Sequence, residues 1–265
     1  MEKVAPIMTS KGTALITGAS SGIGEELARH FARQNFDLVI TARRESNLNA
    51  LAEELRGKVS VTVVSCDLAE RAGVDALLDA VAEIDIDVLV NNAGIAYSGS
   101  FSSQEDDKIQ NLINLNIVAV TRLTHHLLPK MINRGMGRIM NVASVASFQP
   151  VPSLAAYAAS KAYVLSLTES LSEELRGTGV SVTALCPGLT KTPLLDEVQG
   201  FDVPAGIAST PADVAREGYD ALMNREVIRV PGIANQAALA WAKHQPRWLV
   251  RGLGGLVARF NPNNR

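Results

Sequence analysis

Tyr157 and Lys161 stand four residues apart in the segment AAYAASKAYVLSL, a spacing that puts both side chains on one face of a helix. A free tyrosine titrates near ~10 and moves protons poorly at neutral pH, but a neighbouring ammonium favours the phenolate and lowers that value. The pair therefore reads as acid/base machinery, although the spacing also arises without chemistry. Ser144 precedes Tyr157 by 13 residues, close enough for a loop to return the chain beside it. Its hydroxyl is then placed to donate to a carbonyl oxygen that gains charge during hydride addition; the alternative is an ordinary serine in a turn at a strand end. Asn116 lies among aliphatic residues in INLNIVAV, where its amide either bonds backbone or holds water.

A second group of residues suits a dinucleotide. The segment TGASSGIG carries Gly18, Gly22 and Gly24 at a strand-to-helix turn. Glycines there allow tight turning and close backbone approach to phosphate, while the helix N-terminus offers free N–H groups. The following strand ends in TARR, with Ala42 where an acidic residue would meet a ribose 2′-hydroxyl. Arg43 and Arg44 offer guanidinium groups for a 2′-phosphate, which predicts NADP(H) over NAD(H); otherwise they are solvated surface arginines. Asp67 in CDL and Asn91 to Gly94 in NNAG close two further strands, where ligands collect in open α/β sheets. Asp67 also suits a helix N-cap, and Asn92–Gly94 a turn.

These residues need elements to position them. Short β-branched runs occur at Thr13–Thr17, Asp37–Thr41, Val59–Ser65, Asp87–Val90, Arg138–Val142 and Val180–Leu185. Their nearly continuous hydrophobicity predicts strands buried on both faces. Helical periodicity marks Gly22–Gln34, Leu48–Leu55, Val74–Ile84, Gln104–Asn133 and Ala155–Arg176. Strand and helix alternate, which predicts βαβ crossovers and one parallel sheet with helices on both faces. The Pro- and Gly-bearing stretch from Cys186 to Pro211 predicts a long loop, read as a substrate lid over about 189–210. A helix near Pro211–Met223 and a short strand at Val227–Val230 follow.

Composition sets the outer limits. The 265 residues are 47% hydrophobic and 20% charged with a net charge of −2, an ordinary globular balance without the basic footprint of a nucleic-acid binder. No linker or repeat divides the chain, so a single domain is expected over 1–265. Two cysteines, Cys66 and Cys186, rule out a disulfide framework and suit a reducing compartment. The N-terminal stretch has no signal-peptide character, so the cytoplasm is the expected location. The four histidines show no metal-ligand spacing, and no metal is expected. From Ala221 onward seven Lys or Arg face one acidic residue, leaving the rest at −8. Within that basic tail (231–265), Leu249, Leu253, Leu256, Val257 and Phe260 share one helical face, which packs on protein or makes weak contact with an anionic membrane surface.

Taken in order, TGASSGIG at 17–24, NNAG at 91–94, Asn116, Ser144, YAASK at 157–161 and PG at 187–188 followed by Thr192 resemble the short-chain dehydrogenase/reductase family. The likeness covers a core of about residues 11–230. It implies a single-domain Rossmann-type doubly wound parallel sheet of about seven strands. It also implies hydride transfer between NAD(P)(H) and a ketone or secondary alcohol, here of fairly apolar type and with NADP(H) preferred. By position, Tyr157 resembles the acid/base, Lys161 the residue that depresses its pKa and binds the nicotinamide ribose, Ser144 the group that polarises the substrate oxygen, and Asn116 the holder of a relay water. The cofactor would meet Gly18, Ser20, Ser21, Gly22, Ile23 and Gly24 at the pyrophosphate and Arg43 and Arg44 at the 2′-phosphate. Asp67 and Leu68 would meet the adenine, Asn91, Ala93 and Gly94 the adenosine ribose and its surroundings, and Pro187, Gly188, Thr190 and Thr192 the nicotinamide side. A homodimer or homotetramer is implied too, with the helices at Gln104–Asn133 and Ala155–Arg176 as the shared face. A non-catalytic NADP(H) sensor is the alternative, and Ser144 argues against it because binding alone does not need that hydroxyl.

Overall fold

The computed structural model describes residues 10–197, 208–233 and 235–237. Seven parallel strands form one sheet: β1 (Thr13–Thr17), β2 (Asp37–Ala42), β3 (Val61–Ser65), β4 (Ile86–Asn91), β5 (Gly137–Val142), β6 (Val180–Leu185) and β7 (Ile228–Arg229). Their order is β3-β2-β1-β4-β5-β6-β7. The order reverses between β1 and β4, which opens a crevice at the carboxyl ends of those two strands.

Side chains alternate across the sheet and build two cores. Ile16, Ile40, Val88 and Val90 face α1 (Gly22–Arg33), α2 (Glu45–Leu55) and α8 (Pro211–Met223), packing with Leu27, Phe31, Leu51 and Leu222. Leu15, Val39, Leu89 and Ile139 face the other way, toward α3 (Arg71–Ala80), α4 (Asp106–Ile113), α5 (Val120–Arg134) and α6 (Ala155–Glu174). A short α7 (Pro193–Glu197) follows β6. Two-sided burial matches the continuous hydrophobicity of the central strands. The exception is β3, a sheet edge whose Thr62 and Ser65 are exposed.

Several boundaries differ from expectation. The helical stretch expected over Gln104–Asn133 begins only at Asp106, after a 3-10 turn at Phe101–Ser103, and is interrupted by a π-helical segment at Asn114–Ala119. The loop expected from Cys186 to Pro211 contains α7 and a parallel bridge between Thr190 and Ser209. Both α2 and α3 start three residues earlier than their apolar periodicity, because first turns without a large apolar side chain carry no hydrophobic signal. The middle of the expected lid and the apolar face of the basic tail lie outside the described residues. No helix among the described residues is long and apolar enough to cross a membrane.

Candidate active site

The crevice at the strand ends is a cavity of about 640 Å³. Its floor is the turn after β1. Gly18 adopts φ +67°, and a Cβ there would stand 2.8 Å from the Ala93 Cα. Gly22 has φ +62°, with Thr192 Cγ2 3.0 Å from where a Cβ would be. Gly24 packs so tightly on the Gly18 carbonyl that no side chain fits. Backbone is thereby laid bare at the mouth of α1, whose first turn has no side-chain cap. Its unspent N–H groups and positive dipole end suit a pyrophosphate.

Thr17 holds the opposing loop in place. Its Oγ1 accepts from Asn92 N at 2.9 Å and Ala93 N at 3.0 Å, and donates to Val90 O at 3.2 Å. This threonine escaped the sequence reading, since a strand-end Thr carries no distinctive signal. Asn92 Nδ2 reaches back to Thr17 O and Gly18 O, clamping the glycine turn to the NNAG loop.

One end of the cavity is charged. Arg44 Nη2 donates to Ser21 Oγ at 2.7 Å and Ser20 Oγ at 3.1 Å. Arg43 Nη1 lies 3.7 Å from Asp67 Oδ2, the arginine side chain largely exposed and the aspartate half-buried. Asp67 accepts from Ala69 N at 2.9 Å, so it also shapes its own turn. Gly18, Ser20, Ser21, Gly22, Ile23, Arg43, Arg44, Asp67, Leu68, Ala93 and Gly94 all line the cavity, as do Pro187, Gly188, Thr190 and Thr192.

Asn91 does not line it. Its carboxamide turns into the sheet, where Nδ2 donates to Asn141 Oδ1 at 2.8 Å and Thr124 Oγ1 at 3.0 Å. Asn141 donates in turn to Thr168 Oγ1, so a buried polar chain ties β4 to β5, α5 and α6. This side chain thus has a structural role, because parallel pairing of Asn91 with Asn141 aims it inward.

Ser144, Tyr157 and Lys161 meet at the middle of the cavity. Ser144 caps a 3-10 helix at Val145–Phe148, its Oγ accepting from Ala146 N at 3.1 Å. Ser147 Oγ donates to Lys161 O at 2.9 Å and fastens that turn to α6. Lys161, only 4% exposed, donates to Val142 O at 2.8 Å and sits 5.9 Å from the centre of the Tyr157 ring. Burial pulls its ammonium down to about 8, with neighbouring Cys186 opposing. Burial also pushes the Tyr157 phenol up, and its hydrogen bond to Ser144 pulls partly back. Ser144 thus acts on the Tyr157 phenol directly, while the lysine is anchored on the β5 carbonyl beside the ring.

Asn116 stands one layer behind the wall, under Gly94, whose added Cβ would meet Asn116 Oδ1 at 3.3 Å and Lys161 Nζ at 3.2 Å. Both hydrogens of its amide are spent, on Ile95 O at 2.9 Å and Ser160 Oγ at 3.1 Å, and Oδ1 accepts from Ile95 N at 3.0 Å. The side chain thus clamps backbone, the first of the two alternatives, with both amide hydrogens and one lone pair of Oδ1 engaged. Ser160 passes the connection on to Tyr157 O at 2.7 Å.

Beyond Ser144 and Tyr157 the other end is apolar, with Val145, Ala146, Val151, Leu154, Leu194 and Leu195 on its walls. A polar, glycine-floored end joined to an apolar end through a Tyr–Lys–Ser cluster is the layout of a nicotinamide-dependent oxidoreductase acting on carbonyl and CH–OH groups. A sequence profile of the short chain dehydrogenase family matches residues 12–201, and the chain belongs to that family. The ketoacyl reductase HetN of Nostoc is 35% identical over 218 residues, covering 80% of this chain and 76% of its own. A short-chain dehydrogenase from Sphingobium yanoikuyae, solved with NADPH, superposes with a TM-score of 0.80 at 35% identity, covering 88% of this chain and 93% of that one. The bulky-bulky ketone specific alcohol dehydrogenase from Comamonas testosteroni superposes with 0.77 at 30% identity, covering 97% and 98%.

Proposed function

We propose that this protein transfers hydride between NADP(H) and a ketone or secondary alcohol of a fairly apolar compound, with Tyr157 as acid/base. The observation that carries the reading is the placement of Ser144, Tyr157 and Lys161 together between the arginine–serine end and the apolar end of one cavity. When bound, the nicotinamide supplies or accepts the hydride. Ser144 and Tyr157 orient the substrate oxygen, and Tyr157 gives its phenolic proton to that oxygen as negative charge develops. Lys161 keeps one hydrogen on Val142 O and has two further donors, which suit the nicotinamide ribose and the phenolate left behind. Asn116 and Ser160 hold the backbone of this assembly rather than touching substrate. Arg43, Arg44, Ser20 and Ser21 suit a 2′-phosphate, since all four line the cavity, Arg44 gathers both serine hydroxyls, and Ala42 rather than a carboxylate follows Thr41. Two cysteines outside any disulfide suit work in the cytoplasm.

The test is NADPH consumption against a panel of aliphatic, aromatic, steroid-like and acyl-chain ketones, run beside Tyr157→Phe. Turnover is expected in the parent and a loss of about a thousandfold or more in the variant, with NADPH affinity retained. Tight NADPH binding without turnover on any ketone would instead favour the cofactor sensor. For the cofactor, Ala42→Asp places a carboxylate beside the phosphate subsite and is expected to weaken NADPH by roughly 3 kcal/mol, over a hundredfold in Kd by fluorescence titration. Equal affinity of the parent protein for NADH and NADPH would contradict the NADP(H) assignment.

A further inference from the structure

Gln149 interrupts the apolar end of the cavity. It lines the wall, is half-buried, and its carboxamide makes no hydrogen bond to any described residue. The other polar side chains near that end are engaged: Thr190 Oγ1 donates to Gly188 O at 3.0 Å, and Thr192 Oγ1 to Thr190 O at 3.3 Å. The charged groups on the described walls, Arg43, Arg44 and Asp67, belong to the opposite end, and Lys161 belongs to Tyr157.

The distance from Gln149 to the reacting centre is set by a pinned ruler. Ser144 is the N-cap and Gln149 the C-cap of the 3-10 helix Val145–Phe148. That helix is locked by Ser144 N on Ser147 Oγ at 3.3 Å, by Ala146 N on Ser144 Oγ, and by Ser147 Oγ on Lys161 O. At a rise of ~2 Å per residue the two caps lie about 10 Å apart along the axis, which sets the partner of the carboxamide on the order of 10 Å from the carbonyl held at Ser144. Between them Val145 and Ala146 line the cavity, so along this wall the intervening part of a ligand meets apolar side chains.

We propose that Gln149 is a specificity-determining subsite that selects neutral ketones carrying a second hydrogen-bonding group, a hydroxyl, amide or further carbonyl, across a short apolar spacer; this rests on the carbonyl-reducing reading above. A carboxamide both donates and accepts, so it serves any of these groups. A polar group landing unpaired on the surrounding aliphatic wall would lose its water without compensation. An anionic group fares worse, since no cation on the described walls of that end offsets its desolvation.

The experiment compares kcat/KM for methyl hexyl ketone, its isostere with the terminal methyl replaced by hydroxyl, and the matching keto carboxylate, in the parent protein, Gln149→Leu and Gln149→Lys. The hydroxy-to-alkyl ratio is expected to fall about tenfold in Gln149→Leu, the worth of one neutral hydrogen bond. Gln149→Lys is expected to raise the keto carboxylate relative to both neutral ketones. Dissociation constants of the corresponding alcohols for each NADPH-loaded protein are measured in parallel by titration calorimetry. If none of the ketones is reduced but the ratio of dissociation constants shifts with Gln149→Leu, the subsite stands and the carbonyl-reducing reading falls. A hydroxy-to-alkyl ratio unchanged by Gln149→Leu in both readouts, or a parent protein that prefers the keto carboxylate, overturns the proposal.

Discussion

Lys161 shows how the fold strains one residue to build a site. Its ammonium is nearly sealed from water and rests on the Val142 carbonyl, and burial lowers it from 10.5 to about 8. The direction of the consequence follows from proton counting. Below about 8 both the folded and unfolded chains hold the proton, so the burial cost is constant; between about 8 and 10.5 only the unfolded chain holds it, so folded stability rises with pH. The parent protein is therefore expected to gain up to about 3 kcal/mol relative to Lys161→Met as pH is raised through that window. Urea unfolding of both proteins at stepped pH measures this, and a constant difference would show that Lys161 keeps an ordinary affinity for its proton. Tyr157 is the complementary case: burial holds its phenol in the protonated form, the one that the proposed reduction requires.

At the scale of elements, α3 and the strand ends beside it pack more closely than helix propensity suggests. Gly73 lies in the first turn of α3, where alanine would normally add about 1 kcal/mol. Here a Cβ would press on the Asp67 backbone, with its carbonyl carbon at 2.7 Å and its nitrogen at 3.2 Å. Gly73→Ala is expected to destabilise by about 1–3 kcal/mol and to weaken NADPH, because Asp67 lines the cavity. A thermal melt beside an NADPH titration checks both, and a raised melting temperature would show that the turn yields. The π segment at Asn114–Ala119 is another local departure with a visible use: it carries Asn116 into reach of both the Ile95 peptide and Ser160.

At the scale of the molecule, the reversal of strand order between β1 and β4 gathers glycine turn, NNAG loop, Ser144 and Tyr157 at the carboxyl ends of the central strands. The opposite exposure lies on α4–α6, where Val118 and Tyr163 are exposed and Tyr163 Oη meets Thr121 Oγ1 at 2.9 Å. We expect this face to join subunits into a dimer or tetramer. Light scattering is expected to give a multiple of the 28.2 kDa chain, and Val118→Glu a lower multiple, since a buried unpaired carboxylate opposes association. A monomeric parent protein would contradict the shared face.

Much of this was legible in the residues alone. Periodicity located the six longer strands and the helices around them, because burial on one stripe or two faces is a local property of side-chain spacing. Motif order placed Gly18, Ser144, Tyr157 and Lys161 where the cavity holds them, because a glycine turn and an i, i+4 pair are themselves local geometry. The facing of Asn91 was different: it depends on which strand lies beside β4, and that neighbour comes from 50 residues away. The edge exposure of β3 follows likewise from strand order. Asn116 is spent on a peptide 21 residues earlier and on Ser160, and Lys161 on Val142, pairings that no spacing rule encodes. Gln149 carried no motif at all. Which groups are left without partners inside a cavity is settled only when remote segments pack, since packing alone decides where water is excluded and which hydrogen bonds remain to be made.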